Sequence, residues 1–317
     1  MNLIDQQNSI VIDVTYNCNA KCHYCKWGSN KTPGRINQPD NFTLVPTTTL
    51  QHLKTERVVL SGGEPLLRQN LEQIVSHYRQ TGVKSIVAIT NGFLLTEQRL
   101  RNLVSSGLTG IAFSIDSFDP TTAFETRAYN EQQIEKVKSH FALACSLKSE
   151  LQLEIGINVV VTTANIQNNQ LEKLVGFANN FPLDWIKFQP IFDDGYVGAN
   201  APHLLLSSLH SELIRAVGKN ICSQTKIETN TINFWESLAD LLSGKKLVGS
   251  SCGLDTRQAI AQKGEIKICH WIDFPTYDIT KQPITDTQKH FASMKANCKT
   301  ETYCYCLQKL SHNWGTV

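Results

Sequence analysis

The sequence predicts an α/β protein built on a parallel β-sheet. Over the first two thirds of the 317 residues, six short apolar segments rich in β-branched residues alternate with helix-like segments. This alternation is typical of βαβ units, which pair the strands in parallel and place helices against the sheet. A chain of this length can bury one large core. The strand-like segments are 9–15, 56–62, 84–92, 109–116, 151–162 and 183–192.

The segments between the strands carry helix signals. Residues 96–107, for example, begin at a Thr and end at a Gly, as many helices do. The other helix-like segments in this part of the chain are 47–54, 67–81, 130–148 and 169–181.

The alternation of strands and helices stops after residue 192. A loop rich in Gly, Pro and Asn leads into the helix-like segments 207–222 and 233–243, and a Gly- and Ser-containing break follows. Residues 256–271 then read as a β-hairpin that turns at Lys263 and Gly264. We therefore expect three regions, with bounds 1–192, 193–248 and 249–317.

Composition and charge exclude several classes of partner and location. Lys and Arg number 30 against 28 Asp and Glu, so the net charge of +2 predicts no nucleic-acid or membrane partner. The first residues lack the pattern of a secretory signal, and no apolar run reaches the ~18 residues that span a bilayer. We expect a cytoplasmic protein, in which the ten cysteines are metal ligands or reactive thiols rather than disulfides.

Three cysteines stand close together directly after the first predicted strand. Cys18, Cys22 and Cys25 form a CxxxCxxC array with the aromatic Tyr24 before the third thiol. A structural zinc site needs four ligands, so three thiols leave it incomplete unless a remote residue such as His23 or His270 joins them. A [4Fe–4S] cluster held by three thiols keeps its fourth iron open to a small molecule.

Further polar or Gly-rich motifs end the successive predicted strands, on the side where open parallel sheets and barrels bind ligands. The segment LSGGEPLL carries a Gly-Gly-Glu motif, ITNG ends the third strand, and FSIDSFDPTTAFETRAYNE follows the fourth. GINVVVT and IKFQPI belong to the fifth and sixth. The residues of interest in these motifs are Gly62, Gly63, Glu64, Asn91, Ser114, Asp116, Arg127, Asn158 and Gln189.

The order of these motifs, from residue 9 to about residue 192, resembles the radical SAM superfamily. The resemblance implies a partial (β/α)6 TIM barrel in which Cys18, Cys22 and Cys25 bind a [4Fe–4S] cluster. It also implies that the nine residues named above, together with Tyr24, contact S-adenosylmethionine. In the family pattern the Gly-Gly-Glu motif binds the amino group, Ser114 the ribose and Arg127 the methionine carboxylate.

The resemblance further implies the chemistry. The reduced cluster would cleave S-adenosylmethionine to a 5′-deoxyadenosyl radical, which abstracts hydrogen from a substrate. A low-potential electron donor such as flavodoxin or ferredoxin would supply the electron.

The C-terminal cysteines resemble the twitch and SPASM domains of the same superfamily. Cys252 and Cys269 have the spacing that opens such a domain, with Gly264 between them, and the hairpin brings its two ends side by side. We expect one auxiliary [4Fe–4S] cluster in a small C-terminal domain, with a structural zinc ribbon as the alternative. Four of five residues would bind it: Cys252, Cys269, Cys298, Cys304 and Cys306.

Two cysteines remain. Cys145 lies in a helix-like segment and is expected to be a small core residue. Cys222, at the end of a helix-like segment, is a candidate donor of a hydrogen atom to a substrate radical, with an inert buried thiol as the alternative.

The resemblance favours a ribosomally made precursor peptide as substrate, modified by epimerisation, crosslinking or backbone excision. Because the first predicted strand starts by residue 9, we expect no fused peptide-binding domain and a separate peptide-recognition protein. The alternatives are a dehydrogenase or epimerase of a sugar or aminocyclitol, and a non-catalytic zinc-binding scaffold. Segments 28–46 and 192–203 are candidate borders of the pocket, and Asp193, Asp194 and Tyr196 are candidate substrate contacts unless they only form a turn.

Overall fold

Six parallel strands lie side by side in chain order and form the partial (β/α)6 barrel that the sequence predicts. The computed structural model describes residues 9–25, 42–191, 193, 196–245, 258–262, 265–267 and 277–278. Each strand pairs in parallel with the one that follows it in the chain. The strands are β1 (Ser9–Thr15), β2 (Arg57–Gly62), β3 (Ser85–Thr90), β4 (Gly110–Ser114), β5 (Glu154–Val161) and β6 (Trp185–Pro190).

Helices connect the strands, and within the described residues three further helices follow the last of the six. Because parallel neighbours need crossover connections, the helices cover the sheet and bury it, and the strands carry apolar residues on both faces. The helices are α1 (Thr47–His52), α2 (Leu71–Gln80), α3 (Glu97–Ser105), α4 (Pro120–Arg127), α5 (Glu131–Leu151), α6 (Thr163–Ile166), α7 (Gln170–Ala178), α8 (Tyr196–Asn200), α9 (Ser211–Gln224) and α10 (Ile232–Leu242).

The predicted hairpin is present and joins the sheet at its open edge. Strand β7 (Gln258–Gln262) pairs in parallel with β1, and β8 (Glu265–Lys267) pairs antiparallel with β7. A short strand, β9 (Tyr277–Asp278), extends the sheet by one more antiparallel pair. Strand β1 therefore has a neighbour on each side, β2 and β7.

Helix α4 was not predicted from the sequence. Asp119 caps its first turn by accepting a hydrogen bond from the Thr122 backbone N–H at 2.9 Å, and Pro120 occupies the first helical position, where its missing N–H does no harm. Strand β5 starts later than the predicted residue 151, because α5 continues to Leu151 and ends at Gln152 in a left-handed conformation. The predicted segment 67–81 divides into a 3₁₀ turn over Pro65–Leu67 and α2.

Helices α9 and α10 share the main hydrophobic core with the barrel rather than forming a separate one. Ile214, Ile221 and Trp235 belong to the same buried cluster as the apolar residues of β1 to β6. The two helices cross closely because Gly218 carries no side chain. A Cβ atom at this position would lie 2.3 Å from the Cβ of Trp235.

Within the described residues, none of the helices has both the length and the apolar character that crossing a membrane requires.

We predict opposite effects for Gly-to-Ala substitutions in two helices. Gly218→Ala forces a methyl group against Trp235 and should lower the free energy of unfolding by about 1–3 kcal/mol. Gly176→Ala in α7 is the matched control, since no atom lies within 4 Å of the added Cβ. It should raise the free energy of unfolding by about 0.5–1 kcal/mol through helix propensity.

Thermal and urea denaturation of the two variants test this pair of effects. Equal stabilisation by both alanines would contradict the close packing of α9 on α10.

Candidate functional site

The three cysteines of the N-terminal array lie on one loop directly after β1, which we call the cysteine loop (residues 16–25). Cys22 is 7% exposed, and Cys18 and Cys25 are half-buried. The loop turns tightly at its end, where the Cys25 N–H donates to the Cys22 carbonyl at 3.1 Å. Its position at the carboxyl ends of the parallel strands is the one that open sheets use for ligands.

The Gly62–Gly63 pair packs against the start of the cysteine loop. The Gly63 N–H donates to the Thr15 carbonyl at 2.7 Å, and the Glu64 N–H donates to the Asn17 carbonyl at 2.8 Å. A Cβ atom on Gly63 would lie 2.1 Å from the Asn17 carbonyl oxygen, and Gly62 adopts φ +108°. Only glycine permits this approach of two backbones, so the pair fixes the loop one residue before Cys18.

The Glu64 carboxylate is turned into the protein. It is 1% exposed and accepts hydrogen bonds from the Leu66 N–H at 3.0 Å, the Thr90 hydroxyl at 2.7 Å and the Asn91 N–H at 2.7 Å. Burial raises the pKa of Glu64 to about 7, although the three hydrogen bonds act in the opposite direction. The carboxylate therefore joins the ends of β2 and β3.

Asn91 continues this connection to the first thiol. Its side-chain N–H group donates to the Asn19 side chain at 2.8 Å and lies 3.9 Å from the Cys18 Sγ. Its side-chain oxygen accepts from the Phe93 N–H at 3.0 Å. The buried Asn91 side chain is thus held at both ends, with an N–H group directed at Cys18.

Asp116 forms the second connection to the cysteine loop. The residue is 0% exposed, and the Tyr24 hydroxyl donates to its Oδ2 at 2.5 Å. Arg127 holds the same carboxylate with its Nε, 2.8 Å from Oδ2, and its Nη2, 2.9 Å from Oδ1. The Val160 N–H also donates to Oδ1, at 2.8 Å. One carboxylate therefore joins the cysteine loop, α4 and β5.

Arg127 also approaches the second thiol. Its Nη1 lies 3.9 Å from the Cys22 Sγ, and its guanidinium lies 5.9 Å from the centroid of the Tyr24 ring. Burial acts to lower the pKa of Arg127, but the adjacent Asp116 carboxylate holds that pKa well above its usual value. Arg127 is therefore a buried, permanent positive charge beside Cys22.

Backbone contacts attach the loop to α4 as well. The His23 N–H donates to the Thr126 carbonyl at 2.9 Å, and the His23 Nδ1 bonds the Glu125 carbonyl at 2.8 Å. The hydrogen bond at Nδ1 orients the imidazole toward α4.

The three thiols of the cysteine loop suit a [4Fe–4S] cluster. Burial raises the pKa of Cys18 to about 11 and that of Cys22 to about 12, so these two thiols are protonated at neutral pH in the cluster-free chain. Among the described residues, no three His, Cys, Asp or Glu side chains converge closely enough to hold one metal ion. A [4Fe–4S] cluster binds each thiolate at a different iron, and N–H donors near two of the sulfurs suit such thiolates.

The remaining predicted cosubstrate contacts lie on the last three strands of the barrel. Ser114 ends β4 and pairs in register with Asn158 of β5, and both residues are half-buried. Gln189 lies on β6 with an exposed side chain and pairs in register with Val160. The structure therefore brings Ser114 and Asn158 together on adjacent strands.

The two isolated cysteines lie in different surroundings. Cys145 is a buried core residue of α5, as predicted, and burial raises its pKa to about 12. Cys222 is half-buried near the end of α9, and its thiol donates to the Asn230 carbonyl at 3.5 Å. This hydrogen bond connects Cys222 to the segment that runs beside β6, because the Asn230 side chain pairs with the Phe188 backbone.

Several predicted residues fall outside the described part of the chain. These are Asp194, His270 and the five C-terminal residues Cys252, Cys269, Cys298, Cys304 and Cys306. Most of the segment 28–46 also lies outside it, and only the backbone of Tyr196 is described. The Asp193 Oδ1 accepts from the Gly198 N–H in α8 at 2.9 Å, which is a local turn contact.

Sequence reasoning missed Thr90, Asn19 and the backbone donor of Val160. Thr90 was visible as the residue before Asn91 in ITNG, but nothing local shows that it would bind a carboxylate 26 residues away. Asn19 follows Cys18 directly and could have been noticed as a polar neighbour of the array.

We predict that Glu64 makes the stability of the cluster-free chain depend on pH. A carboxyl group whose pKa rises on folding, here from 4.5 to about 7, favours the folded state below pH 4.5 and loses that contribution as pH rises to 7. Glu64→Gln should flatten this part of the curve by up to about 3 kcal/mol, at 1.36 kcal/mol per pKa unit.

Urea denaturation between pH 4.5 and 8 measures the effect. The matched control is Glu212→Gln, since that side chain is 90% exposed. Parallel curves for the wild type and Glu64→Gln would show that the buried carboxyl group does not titrate in this range.

Comparison with known proteins finds a family model that matches part of the chain. Residues 12–142 match the family model described as the Radical SAM superfamily. A probable GTP 3′,8-cyclase of Methanococcus maripaludis is 35% identical over 116 residues, which are 36% of this chain and 38% of that protein. The chain thus matches this curated relative over less than half of the relative's length.

Two solved structures share the fold over most of the chain. Streptococcus suis SuiB bound to its precursor peptide SuiA gives a TM-score of 0.66 at 15% identity, covering 92% of this chain and 67% of SuiB. Native anSMEcpe with bound AdoMet gives 0.63 at 16% identity, covering 96% of this chain and 95% of anSMEcpe. At such low identity the likeness concerns the fold alone. The family match itself covers residues 12–142, the part of the chain that carries the cysteine loop, Glu64, Asn91, Asp116 and Arg127.

Proposed function

We propose that this protein is a radical SAM enzyme that binds a [4Fe–4S] cluster through Cys18, Cys22 and Cys25. The observation that carries the proposal is the cysteine loop itself. Its three thiols lie at the carboxyl ends of six parallel strands, and N–H groups of Asn91 and Arg127 approach two of the three sulfurs.

The cluster, when bound, would supply the electron that cleaves S-adenosylmethionine to a 5′-deoxyadenosyl radical for hydrogen abstraction. The protein's own residues hold the loop in place. Gly63 and Glu64 fix its start through backbone hydrogen bonds, and Asp116 fixes its end through Tyr24. Burial of Cys22 keeps water from that thiolate, which suits a reaction that needs a dry site.

We assign the cosubstrate contacts to side chains that the protein does not already use fully. Ser114 at the end of β4 is the neighbour of Asn158 within β5, and Gln189 is exposed on β6. Their positions support contacts to the ribose and adenine. In this structure Glu64, Asp116 and Arg127 form polar contacts within the protein. Their expected contacts to the cosubstrate would therefore require an exchange of partners.

The cysteine spacing of the C-terminal region supports a second metal site. We propose one auxiliary [4Fe–4S] cluster bound by Cys252, Cys269 and two of Cys298, Cys304 and Cys306. The hairpin of β7 and β8 supports this assignment, since it lies between Cys252 and Cys269 in the chain. We retain the regions 1–192, 193–248 and 249–317, although α9 and α10 share the barrel's core.

We propose a precursor peptide as the substrate, delivered by a separate peptide-recognition protein, with a low-potential flavodoxin or ferredoxin as electron donor. The likeness of fold to SuiB, whose structure holds a precursor peptide, supports this class of substrate. Cys222 stays a candidate hydrogen-atom donor. Its hydrogen bond to Asn230 and its half-buried position mean that it could act only if the substrate reached the end of α9.

A second candidate is a small-molecule substrate, including a nucleotide. The observation that favours it is the match to proteins named probable GTP 3′,8-cyclase, which have the higher identity to this chain.

We predict that the anaerobically reconstituted, dithionite-reduced protein forms 5′-deoxyadenosine from S-adenosylmethionine. Replacing Cys18, Cys22 or Cys25 by Ala should reduce this to the background without protein, because each thiolate holds one iron. Cys145→Ala is the matched control, since Cys145 is a buried core thiol outside the loop. Chromatography of the nucleoside and iron and sulfide analysis check the result.

The same metal analysis and nucleoside assay also test the alternative of a non-catalytic zinc-binding scaffold. Stoichiometric zinc with no iron and no nucleoside in the wild type would favour the zinc scaffold and sink the proposed activity.

The substrate class is tested by supplying each candidate to the active protein. With a candidate precursor peptide and a peptide-recognition protein, we expect loss of hydrogen or uptake of solvent deuterium by mass spectrometry. Consumption of GTP in place of the peptide would shift the assignment to a small molecule.

A further inference from the structure

The Asp116 carboxylate accepts three hydrogen bonds within the protein, and the Arg127 Nε adds an ion-pair contact without a hydrogen bond. Its two oxygens face the Tyr24 hydroxyl, the Val160 N–H and two nitrogens of Arg127 at 2.5–2.9 Å. No part of this residue is exposed to solvent. A buried carboxylate paired in this way is expected to hold its partners in one arrangement, since moving any of them would leave a buried charge uncompensated.

This arrangement determines which edge of Arg127 is available. Nε and Nη2 face Asp116, and Nη1 is directed at the Cys22 Sγ at 3.9 Å. Cys22 is 7% exposed, so the N–H group and the thiol meet in a site with little water. The guanidinium is planar and rigid, and fixing one edge also fixes the other.

We propose that Asp116 is a positioning residue that holds the Nη1 edge of Arg127 on the Cys22 sulfur, where it stabilises the reduced state of the cluster bound there. The inference rests on the proposed function, because it requires a cluster on the cysteine loop.

Reduction puts one more negative charge on the cluster and its thiolates, and an N–H donor with a full positive charge beside one sulfur offsets part of it. Hydrogen bonds to the sulfurs are among the factors that set cluster potentials. Because Asp116 compensates the guanidinium charge at longer range, the effect depends on the local contact between Nη1 and Cys22.

The alternative role for Arg127 is to form bidentate hydrogen bonds with the methionine carboxylate of the cosubstrate. In that role the fork would have to leave Asp116, and the buried carboxylate would keep only Tyr24 and Val160 as partners. The two roles therefore differ in whether cosubstrate affinity or cluster potential changes when Arg127 is altered.

The first measurement uses the cluster-free protein and hydrogen exchange of the peptide covering the cysteine loop. Asp116→Asn should speed exchange there about tenfold, the equivalent of about 1.4 kcal/mol. Arg57→Gln is the matched control, because Arg57 forms a similar fork with Glu154 at 2.7 and 3.1 Å but lies at the opposite end of β2. It should leave exchange in the loop unchanged.

The second measurement is the midpoint potential of the N-terminal cluster, followed by electron paramagnetic resonance as the signal that Cys18→Ala abolishes. Arg127→Gln should shift the potential to more negative values, and Arg127→Lys should restore part of it. When Arg127 is already replaced, Asp116→Asn removes only a negative charge and should raise the potential. When Arg127 is present, the same substitution also releases Nη1 from Cys22, so the rise should be smaller or reversed. Tyr24→Phe removes one of the hydrogen bonds to Asp116 and should also speed exchange in the loop. If Arg127→Gln misfolds, the charge-neutral double variant Asp116→Asn with Arg127→Gln replaces it.

The outcomes separate the two proposals. A wild type that assembles no cluster at the loop overturns the proposed function, and unchanged exchange in Asp116→Asn then overturns the positioning of the loop as well. A cluster potential that is unchanged in Arg127→Gln, or that Asp116→Asn raises equally with and without Arg127, overturns the inference alone. Weaker binding of S-adenosylmethionine at an unchanged potential would assign Arg127 to the methionine carboxylate instead.

Discussion

The pairing of Asp116 with Arg127 is the interaction on which the arrangement of the site depends. Burying a carboxylate is unfavourable unless it is paired and hydrogen-bonded, and Asp116 meets both conditions only when three parts of the chain come together. Tyr24 comes from the cysteine loop, Arg127 from α4 and the Val160 N–H from β5. The charge therefore ties the position of the second and third thiols to the ends of β4 and β5.

The start of the cysteine loop is fixed by different physics. There the backbone of Gly63 contacts that of Asn17 at a distance that no residue with a Cβ atom allows. The adjacent Glu64 carboxylate accepts hydrogen bonds from the end of β3 and so joins β2 to β3. The start of the loop is thus fixed by close backbone packing, and its end is fixed by the buried Asp116 carboxylate. A loop held at both ends needs little rearrangement to receive three corners of one cluster, which is what preorganised metal sites require.

Much of the fold was predictable because buried parallel strands leave continuous apolar, β-branched runs in the sequence. The cysteine array was predictable because its three thiols lie within eight residues. The partners of those thiols were not, since Tyr24 and Asp116 are 92 residues apart and Glu64 and Thr90 are 26 apart. Helix α4 was missed because its residues PTTAFETR show little apolar periodicity and its start depends on one Asp cap. Motif order predicted which residues meet at the carboxyl ends of the strands, whereas the partners of each side chain there depend on tertiary contacts.

The place of β7 beside β1 has a consequence for work with shorter versions of this chain. The strand that leads into the cysteine loop relies on residues 258–262 to complete its hydrogen bonding on one side. A fragment that stopped after α10 would leave the backbone N–H and C=O groups of β1 along that side unpaired, and open strand edges recruit other chains and promote aggregation. Truncations meant to isolate the barrel should therefore retain the hairpin.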